Sequence, residues 1–546
     1  MRLNSNLVAL KLLLLSSCAS ATFFRGHGLQ LGPVDKDEEA EFRLAAASTT
    51  VNDNNNTNTN GWGTFDQLLD HSNPSLGTFR QRYWYGTQYW KGPGSPIIFF
   101  NPGEQSGDGF NKTYTTSQRL PGLFAQQLGG AVVIMEHRYW GESSPFEELT
   151  SKNLQYLTLE NSIKDNVYFA NNFKPPFDGS GGSAPDKAPW IFSGGSYPGA
   201  LAGWLASVEP GTFWAYHGTS GVVQAVGDFW QYFRPVMEAT PRNCSKDLGK
   251  VINYTDDILL HGSETEKKKL KAKFLLSGLE DADFASALEN GPWSWQSTQF
   301  YSEKVEGYNS YHQFCDYIEN MWPNSTKSVP GPEGVGQVRA LEGYAKWARE
   351  VLVPGYCDSG PYDDWKGEYN IACFASLNSS NVAYKDLSPG NYANRQWTWL
   401  LCNEPLMFWQ DGAPKNRPTI VSRLANVHYW EKQCSLFFPD GYGIQKGKTV
   451  EQINAYTGGW SVTNTTRLMY ANGQFDPWRD ATVSSVDRPH GPLRSTTQLP
   501  VRVIPGGVHC SDYYKPNWDV NENAKRIAYE QVENMKRWVA EFKSIN

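Results

Sequence analysis

Trp190 to Ser193 is a short β-prone run that ends in Gly194-Gly195-Ser196-Tyr197-Pro198-Gly199 and then a helix-like stretch, Ala200 to Val208. That layout predicts a tight strand-to-helix turn that lifts the Ser196 oxygen clear of a sheet. Gly194 and Gly195 supply the small side chains needed where strand and helix approach closely. A helix starting behind Ser196 favours developing negative charge, and the Tyr197 N–H is placed to donate to an oxyanion. The usual turn of this kind carries Gly two residues after the serine; Pro198 stands there instead, and Gly199 follows. Proline is tolerated in a first helical turn, where its missing N–H had no partner anyway. A structural Gly-Ser turn would look the same locally, so the serine must be judged by its partners.

A serine hydroxyl needs a base, and the base needs an orienting carboxylate. Downstream histidines are His217, His261, His312, His428, His490 and His509. Only His509 follows a convincing strand, Val501 to Ile504, through Pro505-Gly506-Gly507-Val508. The preceding strand-like run, Arg467 to Tyr470, leads through Ala471-Asn472-Gly473-Gln474-Phe475 to Asp476. The interval from Asp476 to His509 is long enough for one helix and one strand. His490 lies in a turn-rich loop and is the weaker base; Asp480 and Asp512 are the weaker acids. Nucleophile, acid and base in the order Ser196, Asp476, His509 is the α/β-hydrolase order. His137 precedes the serine and reads as structural.

The elements required to position these residues are legible. Pro96 to Phe100 and Ala131 to Met135 are short apolar runs, Leu159 to Phe173 is helical, and Trp214 to Thr219 reads as another strand. Such alternation predicts a mostly parallel sheet with helices on both faces, an α/β-hydrolase fold. From 225 to 395 helical charge periodicity and Trp-rich segments replace the short β runs, which predicts an inserted, mainly helical cap. The expected organisation is a signal peptide over 1–21 and a propeptide or disordered leader over 22–60. The α/β-hydrolase domain then spans 61–224, the cap 225–395, and the second part of the hydrolase domain 396–546.

Composition excludes other classes. The chain has 546 residues, 40% of them hydrophobic and 19% charged, with net charge −7, enough for a large core. No basic stripe runs alongside interleaved aromatics, which argues against a nucleic-acid partner. The charged run Glu264 to Lys271, with Leu270 and Phe274 beside it, reads as a solvated amphipathic helix. Arg2, the apolar stretch Leu7 to Leu15 and the small residues Ala19-Ser20-Ala21 form a removable secretory signal. No later segment approaches the roughly 20 apolar residues of a membrane span. The expected product is secreted and extracellular, with a vacuolar or lysosomal destination as the alternative, and has no membrane partner. Asn-x-Ser/Thr acceptors at Asn55, Asn111, Asn243, Asn253, Asn324, Asn378 and Asn464 fit a glycoprotein. Once Cys18 leaves with the signal, seven cysteines remain. Without a CxxC pattern they predict disulfides rather than a metal site. Local pairing favours Cys357–Cys373 and Cys402–Cys434, with a longer Cys244–Cys315 bridge and Cys510 left over. Spacing alone does not fix that connectivity. Nothing in the pattern calls for a cofactor or metal, and nothing sets the oligomeric state.

Several blocks together give the chain a family resemblance. These are Phe65 to His71, Gln81-Arg82-Tyr83-Trp84, Asn101-Pro102-Gly103-Glu104, Glu136 to Pro145, Gly194 to Gly199, Asn472 to Trp478 and Pro505 to Cys510. The chain resembles the serine peptidases that include lysosomal Pro-X carboxypeptidase, dipeptidyl peptidase II and the fungal acid prolyl endopeptidases, the last most closely. On this resemblance the nucleophile falls on Ser196, the acid on Asp476 and the base on His509. Pro198 departs from the Gly or Ser usual there. The resemblance implies cleavage after proline at acidic pH, so the partners are proline-containing peptides or proteins. An aromatic-lined pocket suits a small, rigid, apolar ring. Most of the tryptophans read as core; Trp478, two residues past the acid, is the preferred pocket residue, with Trp460 beside it. The second oxyanion donor is expected from the backbone near Gly103 and Glu104. Glu404 reads equally as a cleft or a surface carboxylate. The alternatives are a carboxy- or dipeptidyl-type exopeptidase, an esterase or lipase on the same fold, and an inactive binding protein.

Overall fold

The computed structural model describes residues 59–302, 309–322, 328–404, 406, 408–441, 447–462 and 465–545. The expected signal peptide, nearly all of the expected leader, and the acceptors Asn55, Asn324 and Asn464 lie outside these residues. Eight strands form one sheet in the order β1-β2-β4-β3-β5-β6-β7-β8. They are β1 Asn60–Leu68, β2 Thr78–Gly86, β3 Ile97–Phe100, β4 Ala131–Met135, β5 Trp190–Gly195, β6 Ala215–Thr219, β7 Leu468–Gly473 and β8 Val501–Ile504. β1 and β4 run antiparallel to β2, and every pairing from β3 to β8 is parallel. This is the α/β-hydrolase fold. The β1–β2 hairpin was not legible in the sequence, and β1 already begins at Asn60, the last residue assigned to the leader.

Central strands are apolar throughout because both faces are covered. Ile97 and Phe99 of β3 pack on one face with Phe169, Phe192 and Trp204. Ile98 and Phe100 point to the other, against Leu120, Phe124 and the closing helix residues Val532, Met535 and Trp538. Period-two alternation of a strand puts neighbours on opposite faces. Each such fully buried side chain contributes roughly 1.5–3 kcal/mol.

Between β6 and β7 the described elements are helices and turns, apart from a single bridge between Asp228 and Trp409. Helices continue past 395, through Arg395–Asn403, Val427–Phe437 and Val450–Thr457. The sheet therefore resumes only at β7, later than the sequence boundary at 396 suggested. All three disulfides fall in this region: Cys244–Cys315, Cys357–Cys373 and Cys402–Cys434, with Cys510 free and buried. Each closes a loop whose unfolded-state entropy makes the bridge worth roughly 3–4.5 kcal/mol.

The helical region also buries carboxyl groups away from cations. Glu289 is buried with neither carboxyl oxygen hydrogen-bonded, and Asp411 shares a hydrogen bond with Asp228. Burial, reinforced by the Asp228 charge, pushes Asp411 up to about 9. Burial also lifts Asp283 to about 6 and Glu289 well above the ordinary range. Glu280 acts on Asp283, and Asp256, itself paired with Arg423, acts on Glu289. Acids whose folded values are raised stabilise the fold below their unfolded values near 4 and lose that contribution as pH climbs through the folded values. The melting temperature is therefore expected to fall by about 5 °C or more between pH 5 and pH 8.5. Calorimetry on Asp411→Asn should give a flatter curve; a wild-type melting temperature that rises over this range would contradict the account.

Candidate active site

The parallel register brings the C-terminal ends of β5, β7 and β8 to one edge of the sheet. Gly195 is level with Thr219 of β6, Thr219 with Ala471 of β7, and Gly473 with Ile504 of β8. Chain leaving β5 turns at once into the helix Tyr197–Val208. Ser196 at that turn has φ 61° and ψ −125°. For a residue with a side chain this left-handed conformation costs about 1–3 kcal/mol, so the surroundings must hold it. They do: the Ser196 N–H donates to the Thr219 carbonyl at 2.9 Å, and Ser196 O accepts from Ala200. A Cβ at Gly194 would sit 2.2 Å from the Pro198 carbonyl oxygen, and one at Gly199 2.5 Å from the Thr219 oxygen. These two glycines let the helix start against the sheet. Pro198 fits the first helical turn and packs its ring against the Gly103 loop, where a Cβ would lie 2.7 Å away.

The histidine and the acid arrive on the loops after β8 and β7. His509 Nε2 lies 2.8 Å from Ser196 Oγ, and His509 Nδ1 lies 3.0 Å from Asp476 Oδ1. A carboxylate can only accept, so Nδ1 carries a proton, and in the neutral imidazole Nε2 accepts from the serine hydroxyl. The Trp478 N–H also donates to Asp476 Oδ1 at 3.0 Å and fixes its rotamer. Burial alone would push the imidazole down, but Cys510 and the Asp476 carboxylate beside it outweigh that and hold His509 well above its ordinary value. A hydroxyl, an imidazole and a carboxylate in one hydrogen-bonded chain can move a proton from oxygen to nitrogen as the oxygen attacks. The competing residues are placed elsewhere. His490 is exposed, His217 is buried against Ser193, Asp480 is held by Arg234 and Arg479, and Asp512 accepts from Thr219 and Gln531.

Around this chain the sequence reading needs corrections. Tyr197 is the first residue of its helix, where an amide has no intrahelical acceptor, so its N–H remains placed for an oxyanion. The Gly103 N–H is not available: it donates to Asn101 Oδ1 at 2.8 Å, in a backbone turn with φ 77°. The Glu104 side chain lies within electrostatic reach of His509 and Tyr197. The residue is 1% exposed and neither carboxyl oxygen has a hydrogen-bond partner. Burial pushes this carboxyl up to about 8, although the nearby His509 pulls the other way. Trp478 is 1% exposed, stacked on Phe229 and edged by Tyr232 and Phe408, with its indole N–H on Gln296. It is core rather than open pocket wall. Trp460 gives its indole N–H to the Thr482 carbonyl. Glu404 is neither cleft nor surface: buried, it accepts from the Leu159 N–H and pairs with Lys448 at 2.8 Å. His137 is structural, pushed down to about 4 by burial, and accepts from the Tyr197 hydroxyl. Of the acceptor asparagines, Asn253 and Asn378 are exposed while Asn111 and Asn243 are half-buried.

One group of neighbours had no signature in the sequence. Trp295, Gln296 and Gln299, from the helical region, reach the loops bearing Asp476 and His509. Only their long-range contacts reveal them.

Comparison with known proteins gives a consistent picture. Residues 67–525 match the family described as Serine carboxypeptidase S28. The chain is 40% identical to the serine protease vicPa of Bipolaris victoriae (strain FI3), over 88% of this chain and 89% of that one. It is 30% identical to the "Probable extracellular serine carboxypeptidase" of Arthroderma benhamiae, over 84% of this chain and 64% of that one. It is 24% identical to lysosomal Pro-X carboxypeptidase of Pongo abelii, over 88% of each.

Ser196→Ala removes the one hydroxyl on His509 Nε2 without touching the turn's glycines. The variant is expected to fold and melt like the wild type yet take up no fluorophosphonate label, as read by intact mass. Labelling at the wild-type rate would place the reactive serine elsewhere.

Proposed function

Because the chain belongs to the serine carboxypeptidase S28 family, and is thus a serine peptidase, we propose that it is secreted and cleaves peptides after proline under acidic conditions. The observation that carries the reading is the hydrogen-bonded chain Ser196–His509–Asp476. Ser196 Oγ attacks the scissile carbonyl while His509 Nε2 takes its proton, and Asp476 holds the Nδ1–H and steadies the imidazolium. The tetrahedral oxyanion takes the Tyr197 N–H. His509 then gives its proton to the departing amine, leaving an acyl-enzyme on Ser196. Water repeats the cycle: His509 takes its proton, the hydroxide equivalent attacks, and Ser196 leaves reprotonated.

Glu104 gives a loss of activity above about pH 8 a physical basis. A carboxyl pushed up to about 8 is a neutral O–H donor below that pH, through the neutral range, and an anion above it. Beside a developing oxyanion the neutral form helps and the anion repels. His509 pulls the other way, since its raised value leaves less neutral base as the pH falls. Glu104 therefore bounds activity on the alkaline side only, and the acid preference rests on the family resemblance. Proline specificity is supported by the name of the Pro-X carboxypeptidase relative, and export by the extracellular relative together with the three disulfides. Among the described residues, no helix is long and apolar enough to cross a membrane.

Two measurements test this. Given matched peptides with free and with blocked termini, the protein is expected to cut after proline in the interior of both. Cleavage of free-ended peptides alone would make it an exopeptidase, and turnover of acyl esters without any peptide would make it an esterase. Glu104→Gln keeps a donor but cannot ionise, so its kcat should persist above pH 8, where the wild type declines. Glu104→Ala should lose about 10²–10³ in kcat at pH 5. Identical alkaline limbs in wild type and Glu104→Gln would remove Glu104 from this role.

A further inference from the structure

We infer that Gln299, supplied by the helical region between β6 and β7, is a positioning residue that holds His509 in reach of Ser196, so that the inserted region helps assemble the reactive site; this rests on the catalytic reading above. Gln299 lies just beyond the turn Ser294–Ser297, and its amide spans the His509 loop. Its Nε2 donates to the His509 carbonyl at 2.9 Å. Its Oε1 accepts from Ser511 Oγ at 3.2 Å and from Asn517 Nδ2 at 2.7 Å. Ser511 Oγ in turn accepts the Val508 N–H at 2.9 Å. Backbone on both sides of the imidazole is thereby tied to one side chain, 210 residues away in sequence from His509.

The same short segment grips the acid. The Trp295 indole N–H donates to the Phe475 carbonyl at 2.8 Å, the residue just before Asp476. Gln296 Oε1 accepts from the Trp478 indole at 2.9 Å and from the Tyr232 hydroxyl at 2.9 Å. Trp478 is itself the residue whose N–H fixes Asp476. Three residues of one short segment, Trp295, Gln296 and Gln299, thus touch the loops after both β7 and β8. The sheet holds Ser196 directly, but His509 stands five residues past the end of β8. A loop of that length needs an external anchor to keep an imidazole within a few tenths of an ångström. An error of about 1 Å in such a geometry can cost on the order of 10² in rate.

The test measures phosphonylation of Ser196 by a small fluorophosphonate, which reports the activated hydroxyl whatever the peptide specificity. Gln299→Ala is expected to label about 10- to 100-fold more slowly, and to lose kcat with KM unchanged, while melting near the wild-type temperature. Ser297→Ala, exposed in the neighbouring turn, should label at the wild-type rate. Gln299→Glu has nearly the same shape but faces the His509 carbonyl with an acceptor once ionised. Its labelling rate relative to wild type should recover as the pH drops below about 5, where the carboxyl regains a donor proton. That pH-dependent rescue carries the test even if Gln299→Ala fails to fold. Wild-type labelling by Gln299→Ala, or a Gln299→Glu profile parallel to wild type, overturns the inference. A wild-type chain that takes no label, or a labelled Ser196→Ala, instead overturns the assignment of Ser196 and this inference with it.

Discussion

Parallel pairing from β3 to β8 is the constraint on which the site depends. Because β5, β6, β7 and β8 run the same way in register, their C-terminal ends face one edge. The chain leaves them as one turn and two loops, and these carry Ser196, Asp476 and His509. Reversing β5, β7 or β8 would send one of the three groups to the opposite edge. The pairing has a cost, since parallel strands need long crossovers and bury their strands on both faces. The two apolar cores above and below the sheet meet that requirement.

Within that frame the three residues are fixed by different means. Ser196 is locked by backbone: a left-handed φ, a bond to Thr219 and a helix start permitted by Gly194 and Gly199. Asp476 is held by its own turn, through the Trp478 amide. His509 depends most on distant residues, from the Ser220 hydroxyl that accepts the Cys510 amide to the Gln299 side chain. Burial sets the electrostatics of all three, because a dry site strengthens each charge and each hydrogen bond. The same dryness holds the neighbouring Glu104 carboxyl protonated to about 8. Burial raises the Asp411 and Glu289 carboxyls in the same direction.

The cysteines and the sheet show how far local patterning carries. Cys357–Cys373 and Cys402–Cys434 join the pairs that local spacing favoured, Cys244–Cys315 is the expected longer bridge, and the strands β3, β4, β5 and β8 lie where the apolar runs were. The β1–β2 hairpin escaped because Asn60–Leu68 lacks clean alternation and its partner carries Arg80 and Arg82. Gly103 and Trp478 were misjudged for one reason. Proximity in sequence to a reactive residue says nothing about where an amide or a ring points, and Asn101 and Phe229 had already claimed them.

By itself the sequence determined the class of fold, the order of its parts and the identity of the three residues now joined by hydrogen bonds. Those are written in local signals: glycines where a strand turns sharply into a helix, apolar runs of strand length, a histidine and an aspartate just past two of them. Tertiary structure alone decided that Glu104 presents a lone buried carboxyl, that Glu404 is spent on Lys448, and that Gln299 reaches His509. Each of these is a matter of burial or of contact between residues far apart in the chain. Such contacts follow from how elements pack, and no short window of residues contains that information.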